Sequence, residues 1–452
     1  MYTQLQFNAA YLRKIPIADE IKTILGSVFD SVDPVNAVMN AVRFYKSTVK
    51  IADVNIPLSS NNRMFAWGLG KASQKMAVGL KKVLNENITN GVIITKHTSP
   101  DLERLLLPSI ITFEGDHPIP AERSRSAAEN AIKRMGELKE GDVVISLISG
   151  GGSSLAVLPY PEISLIDYQQ MTKLLLDCGA TIQEINTIRK QLDQIKGGGL
   201  TKLLYPARII SLILSDVVGD ALDVIASGPT VLTPSTKQDA LQVIEKYHLY
   251  SKLPESVLRF LETEIIQNDQ KVSNNRHVQI VDNILIGNNR IAANAAKNTA
   301  QGMGFQTEII TKTLQGEARE VGSRLGMELK KRIELNQEKS CWIYGGETTV
   351  TMHGNGKGGR NQELVLSAAK EIEGLERGCI LSIATDGEDG PTDAAGAIAD
   401  GNSLEAGRKM GLDIKKYLEN NDAYSYFDKV GGLIRTGPSG TNVNDLVFLF
   451  AY

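Results

Sequence analysis

Short apolar runs alternating with helix-period segments predict an α/β fold for this chain of 452 residues, with a doubly wound parallel sheet in its first half. The run 143–148 is nearly all apolar, as a strand buried on both faces is, and 209–214 has the same character. Glycine turns follow directly on strand-like runs at 68–70 and 150–152, at the carboxyl-end edge where open α/β sheets bind ligands.

Taken in order, residues 16–48 read as helices, 64–67 as a strand, and a helix starts near Ala72. Strands are expected at 92–95 and 110–113, with a helix over 125–138 between the latter and the strand 143–148. Ser164 and Asp167 form a capping-box-like start for a helix that stops near Gly179, and Thr181 with Glu184 opens another. The strand 209–214 follows. Residues 231–277 are more polar and carry Pro234 and Pro254, and 267–276 is almost wholly polar. The second domain's strands are placed after that run, beginning with 278–286, and the chain is divided into domains 1–250 and 251–452. A helix over 291–301, a strand at 307–311, a helix over 317–335 and strands at 341–344, 380–384 and 446–450 complete the reading.

The composition narrows the function. A net charge of −3 offers no basic face for nucleic acid, and 6% aromatic residues do not suit stacking on bases. Cys178, Cys341 and Cys379 are far apart and odd in number, which argues for a reducing compartment rather than a disulfide framework. Arg13 and Lys14 are not followed by an apolar stretch, so no signal peptide is read, and no run reaches membrane-spanning length. A soluble cytoplasmic enzyme is the expectation, with no membrane and no nucleic acid as partner.

Four segments could carry chemistry. In Gly68-Leu69-Gly70-Lys71-Ala72-Ser73, Lys71 would meet a phosphate or carboxylate as a point charge; a plain tight turn with a surface lysine is the alternative. The segment lacks P-loop spacing, with Phe65 at the first glycine position, and Ser73 replaces the third glycine of a dinucleotide fingerprint. In Ser149-Gly150-Gly151-Gly152-Ser153-Ser154, backbone N–H groups and two hydroxyls suit phosphate oxygens, whereas a serine nucleophile would need a base that no histidine pattern supplies. The third segment packs six glycines into residues 345–363 and ends in Gly358-Gly359-Arg360-Asn361-Gln362-Glu363, where a helix start would present N–H groups and Arg360 to an anion. Fourth are carboxylates at strand ends: Asp216, and Asp386 within Asp386-Gly387-Glu388-Asp389-Gly390, could hold Mg²⁺ or orient a hydroxyl. The latter run is not an EF-hand, because Ala397 stands at the twelfth position. His117 and His353 lie in glycine- or proline-flanked loops, where either could donate a hydrogen bond to a ligand; polar surface is the alternative.

Together with Ser215-Asp216-Val217-Val218-Gly219-Asp220, Ala226-Ser227-Gly228-Pro229-Thr230 and Gly345-Gly346-Glu347-Thr348-Thr349-Val350, these motifs resemble the glycerate 2-kinase family, from about residue 60 to the end. The resemblance implies two α/β domains: a Rossmann-like doubly wound N-terminal domain and a mixed α/β domain called MOFRL, with the active site in a cleft between them. It implies ATP-dependent phosphorylation of D-glycerate to 2-phosphoglycerate with Mg²⁺ or another divalent cation. Lys71 and Arg360 match the family's suggested active-site residues. Gly70, Ser149, Gly150, Gly151, Gly152, Ser153, Ser154, Gly358 and Gly359 are expected around the nucleotide phosphates. Asp216, Glu347 and Asp386 are expected near substrate or metal, with Asp216 and Asp386 as the metal carboxylates. Whether Lys71 serves glycerate or nucleotide stays open, as does the oligomeric state, for which a homodimer is one expectation. The rival readings are an NAD(P)H-dependent hydroxypyruvate reductase, which the missing third glycine disfavours, and a non-catalytic sugar-phosphate-binding protein.

Overall fold

A computed structural model describes residues 10–57, 62–263, 281–335 and 338–452. They divide into two compact units: 34–286, and the described residues up to Asp33 together with 287–452.

The first unit is built on a six-stranded sheet. From one edge its strands are Ile110–Glu114, Ile88–Thr95, Met64–Leu69, Val143–Ile148, Arg208–Leu214 and Val281–Gly287. The four pairings over the first five strands are parallel. The chain therefore winds outward from Met64–Leu69 to one edge, returns across it, and winds outward the other way. Both faces are buried, as a doubly wound sheet requires: Met64 and Ala66 pack into one apolar cluster, while Phe65, Trp67 and Leu69 pack into the other. Helix caps fall where the sequence predicts them. Ser164 accepts from the Asp167 N–H, and Thr181 and Glu184 form a reciprocal capping box.

Two expectations change here. The helical reading of 16–48 holds for Ala18–Val32 and Pro34–Ala41, but Val42–Tyr45 begins a three-stranded antiparallel sheet with Thr48–Ile51 and Val54–Pro57. The division at 250/251 is also displaced. The strand Val281–Gly287 is the edge strand of the first sheet, tied in by an Arg208–Asp282 ion pair of 2.8 Å and by Thr230 donating to Asn283 at 2.7 Å. Residues 278–280 lie outside the described set. The N-terminal helix belongs to the other unit, because Ile21, Ile24, Val28 and Phe29 share an apolar cluster with Phe305, Phe448 and Phe450.

The second unit carries a mixed six-stranded sheet in the order Gln306–Leu314, Ser340–Gly346, Asp445–Ala451, Gly378–Ala384, Gly396–Asp400 and Leu433–Ile434. Only the first pairing is parallel. Asp445 opens its strand between the carboxyl ends of two antiparallel neighbours, opposite Gly346 on one side and Ala384 on the other. No helix among the described residues is long and apolar enough to cross a membrane.

Candidate functional site

The reversal of winding in the first sheet lies between Met64–Leu69 and Val143–Ile148, which run parallel with Leu69 opposite Ile148. At such a switch point the two outgoing loops part and leave a crevice beyond the strand ends. The loops here are Gly70-Lys71 and Ser149-Gly150-Gly151, joined by backbone bonds: the Ser149 N–H donates to the Leu69 carbonyl at 2.9 Å, and the Lys71 N–H to the Gly150 carbonyl at 3.0 Å. Gly70 has φ +124°, and a Cβ there would lie 2.3 Å from the Ser149 carbonyl oxygen. Only glycine meets both demands.

Three polar side chains gather on the second loop. A Cβ on Gly150 would lie 1.9 Å from Asp216 Oδ2, so that carboxylate rests against the bare backbone. A Cβ on Gly151 would lie 3.1 Å from Lys71 Cε and 3.2 Å from His117 Cδ2. Lys71 is exposed, and His117 is half-buried. Burial, and then the Lys71 and Lys96 charges, depress the His117 pKa to about 4, so its imidazole is neutral at physiological pH. The meeting of His117 with Lys71 is not legible in the sequence. His117 lies 46 positions from Lys71 in the chain, and only the fold brings them together.

The hydroxyls of the triple-glycine turn differ from the expectation that two of them face phosphate. Ser149 is buried, and its Oγ accepts from the Ala72 N–H at 3.0 Å. Ser154 donates to the Gly151 carbonyl at 3.2 Å. Both therefore shape the loop. Ser153 is half-buried, with its Oγ 2.7 Å from Ser227 Oγ. Gly152 is glycine because a Cβ would lie 2.6 Å from that of Ala226.

The second unit has its own charged cluster, at the sheet edge where Asp445 begins its strand. Arg360 is the first residue of the helix Arg360–Glu371. Its guanidinium forks onto Asp445, with Nε 2.5 Å from Oδ2 and Nη2 3.0 Å from Oδ1, and its Nη1 reaches Glu347 Oε1 at 2.7 Å. Asn444 holds the other Glu347 oxygen at 2.9 Å. Burial acts against the Arg360 charge, but the two carboxylates outweigh it and raise its pKa. Burial pushes Asp445 up to about 7 against the opposing pull of Arg360. Arg360 is thus not the open fork that the sequence suggests.

The helix start is occupied as well. Asp389, buried, accepts from the Asn361 and Gln362 N–H groups at 3.1 and 2.9 Å. Burial raises its pKa, against these hydrogen bonds. A Cβ on Gly359 would lie 2.3 Å from the Asp389 carboxyl carbon, and one on Gly358 3.4 Å from the Ala423 nitrogen. Gly359 thus makes room for an anion of the chain itself, where the sequence reading placed a phosphate. Asp386 is half-buried just beyond the strand Gly378–Ala384, with Oδ1 accepting from the Glu388 N–H at 3.1 Å. His353 is exposed in a loop.

Comparison with known proteins addresses the family. Residues 20–262 match DUF4147, described as a domain of unknown function, and residues 340–445 match the MOFRL family. A D-glycerate 2-kinase of Thermotoga maritima is 43% identical over 87% of this chain and 91% of its own length. A glycerate 2-kinase of Pyrococcus horikoshii is 41% identical over 94% of this chain and 95% of its own. The chain belongs to the glycerate 2-kinase family. Family membership extends to the fold: the crystal structure of the Thermotoga maritima glycerate kinase superposes with a TM-score of 0.84 at 39% identity, covering 96% of this chain and 99% of that one.

As a member of the glycerate 2-kinase family, the chain raises the question of a divalent cation. Among the described residues no three His, Cys, Asp or Glu side chains gather into a metal site. Mg²⁺ in phosphoryl-transfer sites is held by one or two carboxylates, with substrate phosphates and water completing its shell. Asp216, against the turn beside Lys71, fits that role. Asp386 lies in the other unit.

Proposed function

We propose that the protein is an ATP-dependent kinase that phosphorylates D-glycerate at the 2-hydroxyl, giving 2-phosphoglycerate and ADP. The observation that carries this reading is the meeting of Lys71 and the triple-glycine turn at the switch point of the parallel sheet, in a chain of this family. Phosphoryl transfer asks a protein mainly for positioning and for neutralisation of charge on the phosphoryl oxygens. The glycines let the backbone of residues 150–151 approach phosphate closely. Lys71 brings an exposed ammonium to the same place, for nucleotide phosphate or for the acid's carboxylate. Asp216 would hold the divalent cation, which supplies charge neutralisation when bound. Neutral His117 can exchange a hydrogen bond with substrate without adding charge.

Arg360 enters with two carboxylates already attached. Glu347 is the more exposed of them, at 40% against 7% for Asp445. An incoming anion would therefore replace Glu347 on Nη1 and leave the Asp445 fork in place. The reading also includes a cytoplasmic homodimer, whose assembly light scattering would report.

The test is a coupled assay of ADP release with glycerate, ATP and Mg²⁺. The wild type should turn over, and Lys71→Ala should lose turnover by orders of magnitude while keeping its unfolding temperature. Oxidation of NADH by hydroxypyruvate, with no ADP release from glycerate, would replace this reading with the reductase. Nucleotide binding with neither activity would favour a binding protein.

A further inference from the structure

Behind the triple-glycine turn runs a chain of three side chains. Ser227 Oγ donates to Asn186 Oδ1 at 3.1 Å, and Ser153 Oγ lies 2.7 Å from Ser227 Oγ. A hydroxyl carries one proton and two lone pairs. The Ser227 proton points at Asn186, so Ser153 is the donor in the second contact. Its own proton is then directed into the protein, and only lone pairs remain for a ligand. Ser227 and Asn186 are buried, whereas Ser153 is half-buried.

The backbone that holds Ser227 is strained. Ala226, Ser227 and Gly228 have φ of 50°, 61° and 62°. Two consecutive residues with side chains in the left-handed region cost about 1 kcal/mol or more each. The segment is held by the Gly197 N–H on the Ser227 carbonyl at 2.9 Å and the Gly198 N–H on the Gly228 carbonyl at 2.8 Å. Such strain gathers where a side chain must be aimed.

We propose that Asn186, acting through Ser227, is a positioning residue that fixes Ser153 as a hydrogen-bond acceptor toward the bound substrates. The inference rests on the reading that the glycine turn binds nucleotide. Ser153 then does not donate to a phosphate oxygen. It meets an electron-poor partner, and two sources share that chemistry: the divalent cation carried by the nucleotide and the hydroxyl of the acceptor acid.

The test uses the full chain with Asn186→Asp, Asn186→Leu, Ser153→Ala and the double variant Asn186→Leu with Ser153→Ala. Asn186 lines a cavity of about 410 Å³, which gives either substituent room. Nucleotide affinity is measured by calorimetry with a non-hydrolysable ATP analogue, with and without Mn²⁺, beside KM for glycerate and the unfolding temperature. Asp keeps the acceptor and should stay within about twofold of wild type, while Leu should raise either the nucleotide dissociation constant or the glycerate KM roughly tenfold, the loss of one hydrogen bond's direction. The double variant should match Ser153→Ala alone. A loss in nucleotide affinity seen only with Mn²⁺ assigns the cation as partner; a rise in glycerate KM at constant nucleotide affinity assigns the hydroxyl.

The proposal is overturned if Asp is as damaging as Leu, since a chain running the other way would need the amide as donor. It is overturned equally if Leu has no effect or if its effect adds to that of Ser153→Ala. Should the Leu variant not fold, Ser227→Gly removes the same link while relieving the left-handed strain, and the same roughly tenfold loss is expected. If the wild type binds nucleotide but releases no ADP with glycerate, the kinase reading fails while the affinity comparison still decides the relay. If it binds no nucleotide, both fail.

Discussion

A single methyl group on Gly150 should disable the enzyme without unfolding it. The Cβ of Gly150→Ala would lie 1.9 Å from Asp216 Oδ2, against the 3.0 Å that real contacts need, a shortfall of about 1.1 Å. Either the carboxylate swings away or the turn moves. Overpacking of this kind costs about 1–3 kcal/mol, which a domain of this size survives. The consequence for chemistry is larger, because a misplacement of about 1 Å in a reacting constellation lowers rate about 100-fold. The assay is kcat from ADP release, with the unfolding temperature measured on the same preparation. The matched control is Gly26→Ala, where nothing lies within 4 Å of the new Cβ. A Gly150→Ala enzyme with wild-type kcat would show that Asp216 and the turn take no part in the reaction.

The same control carries its own expectation: Gly26 lies inside the helix Ala18–Val32, so alanine there should raise stability by about 0.5–1 kcal/mol in chemical denaturation. Arg360→Ala should lower the unfolding temperature as well as activity, since it strips a buried carboxylate of its partner at a cost of about 3–5 kcal/mol; adding Asp445→Asn should restore much of the stability but not the activity. His117, with a pKa of about 4 in the fold and an ordinary value of 6.5, favours the fold above pH 6.5 and loses that contribution as pH falls to 4. Wild type should therefore lose roughly 1–2 kcal/mol of unfolding free energy relative to His117→Gln as pH drops through this window, once solvent screening is allowed for; parallel curves would show that His117 is not held in a desolvated place.

Local pattern carried much of the fold. The strand 143–148 matches the structure residue for residue, because a segment buried on both faces is apolar at every position. The caps at Ser164 and Thr181 are local hydrogen bonds three residues long and are written in the residues themselves. The small antiparallel sheet from Val42 to Pro57 was hidden because strands of four residues are too short to establish a period. Asp389 stood in the acidic run that was read, but its use as the cap of a helix beginning 29 positions earlier was not legible.

What the sequence by itself determined was the alternation of strand and helix, the glycine turns at strand ends and the motifs of the family, all of which depend on neighbours a few residues apart. Tertiary structure alone decided which charges are already matched. Arg360 is forked onto Asp445, the start of its helix is filled by Asp389, and the Ser153 hydroxyl lies 2.7 Å from that of Ser227. It also decided that the N-terminal helix packs with the C-terminal unit and that the strand ending at Gly287 closes the first sheet. The reason is physical: burial and electrostatic pairing act between groups that are close in space whatever their separation along the chain, and no local pattern records those distances.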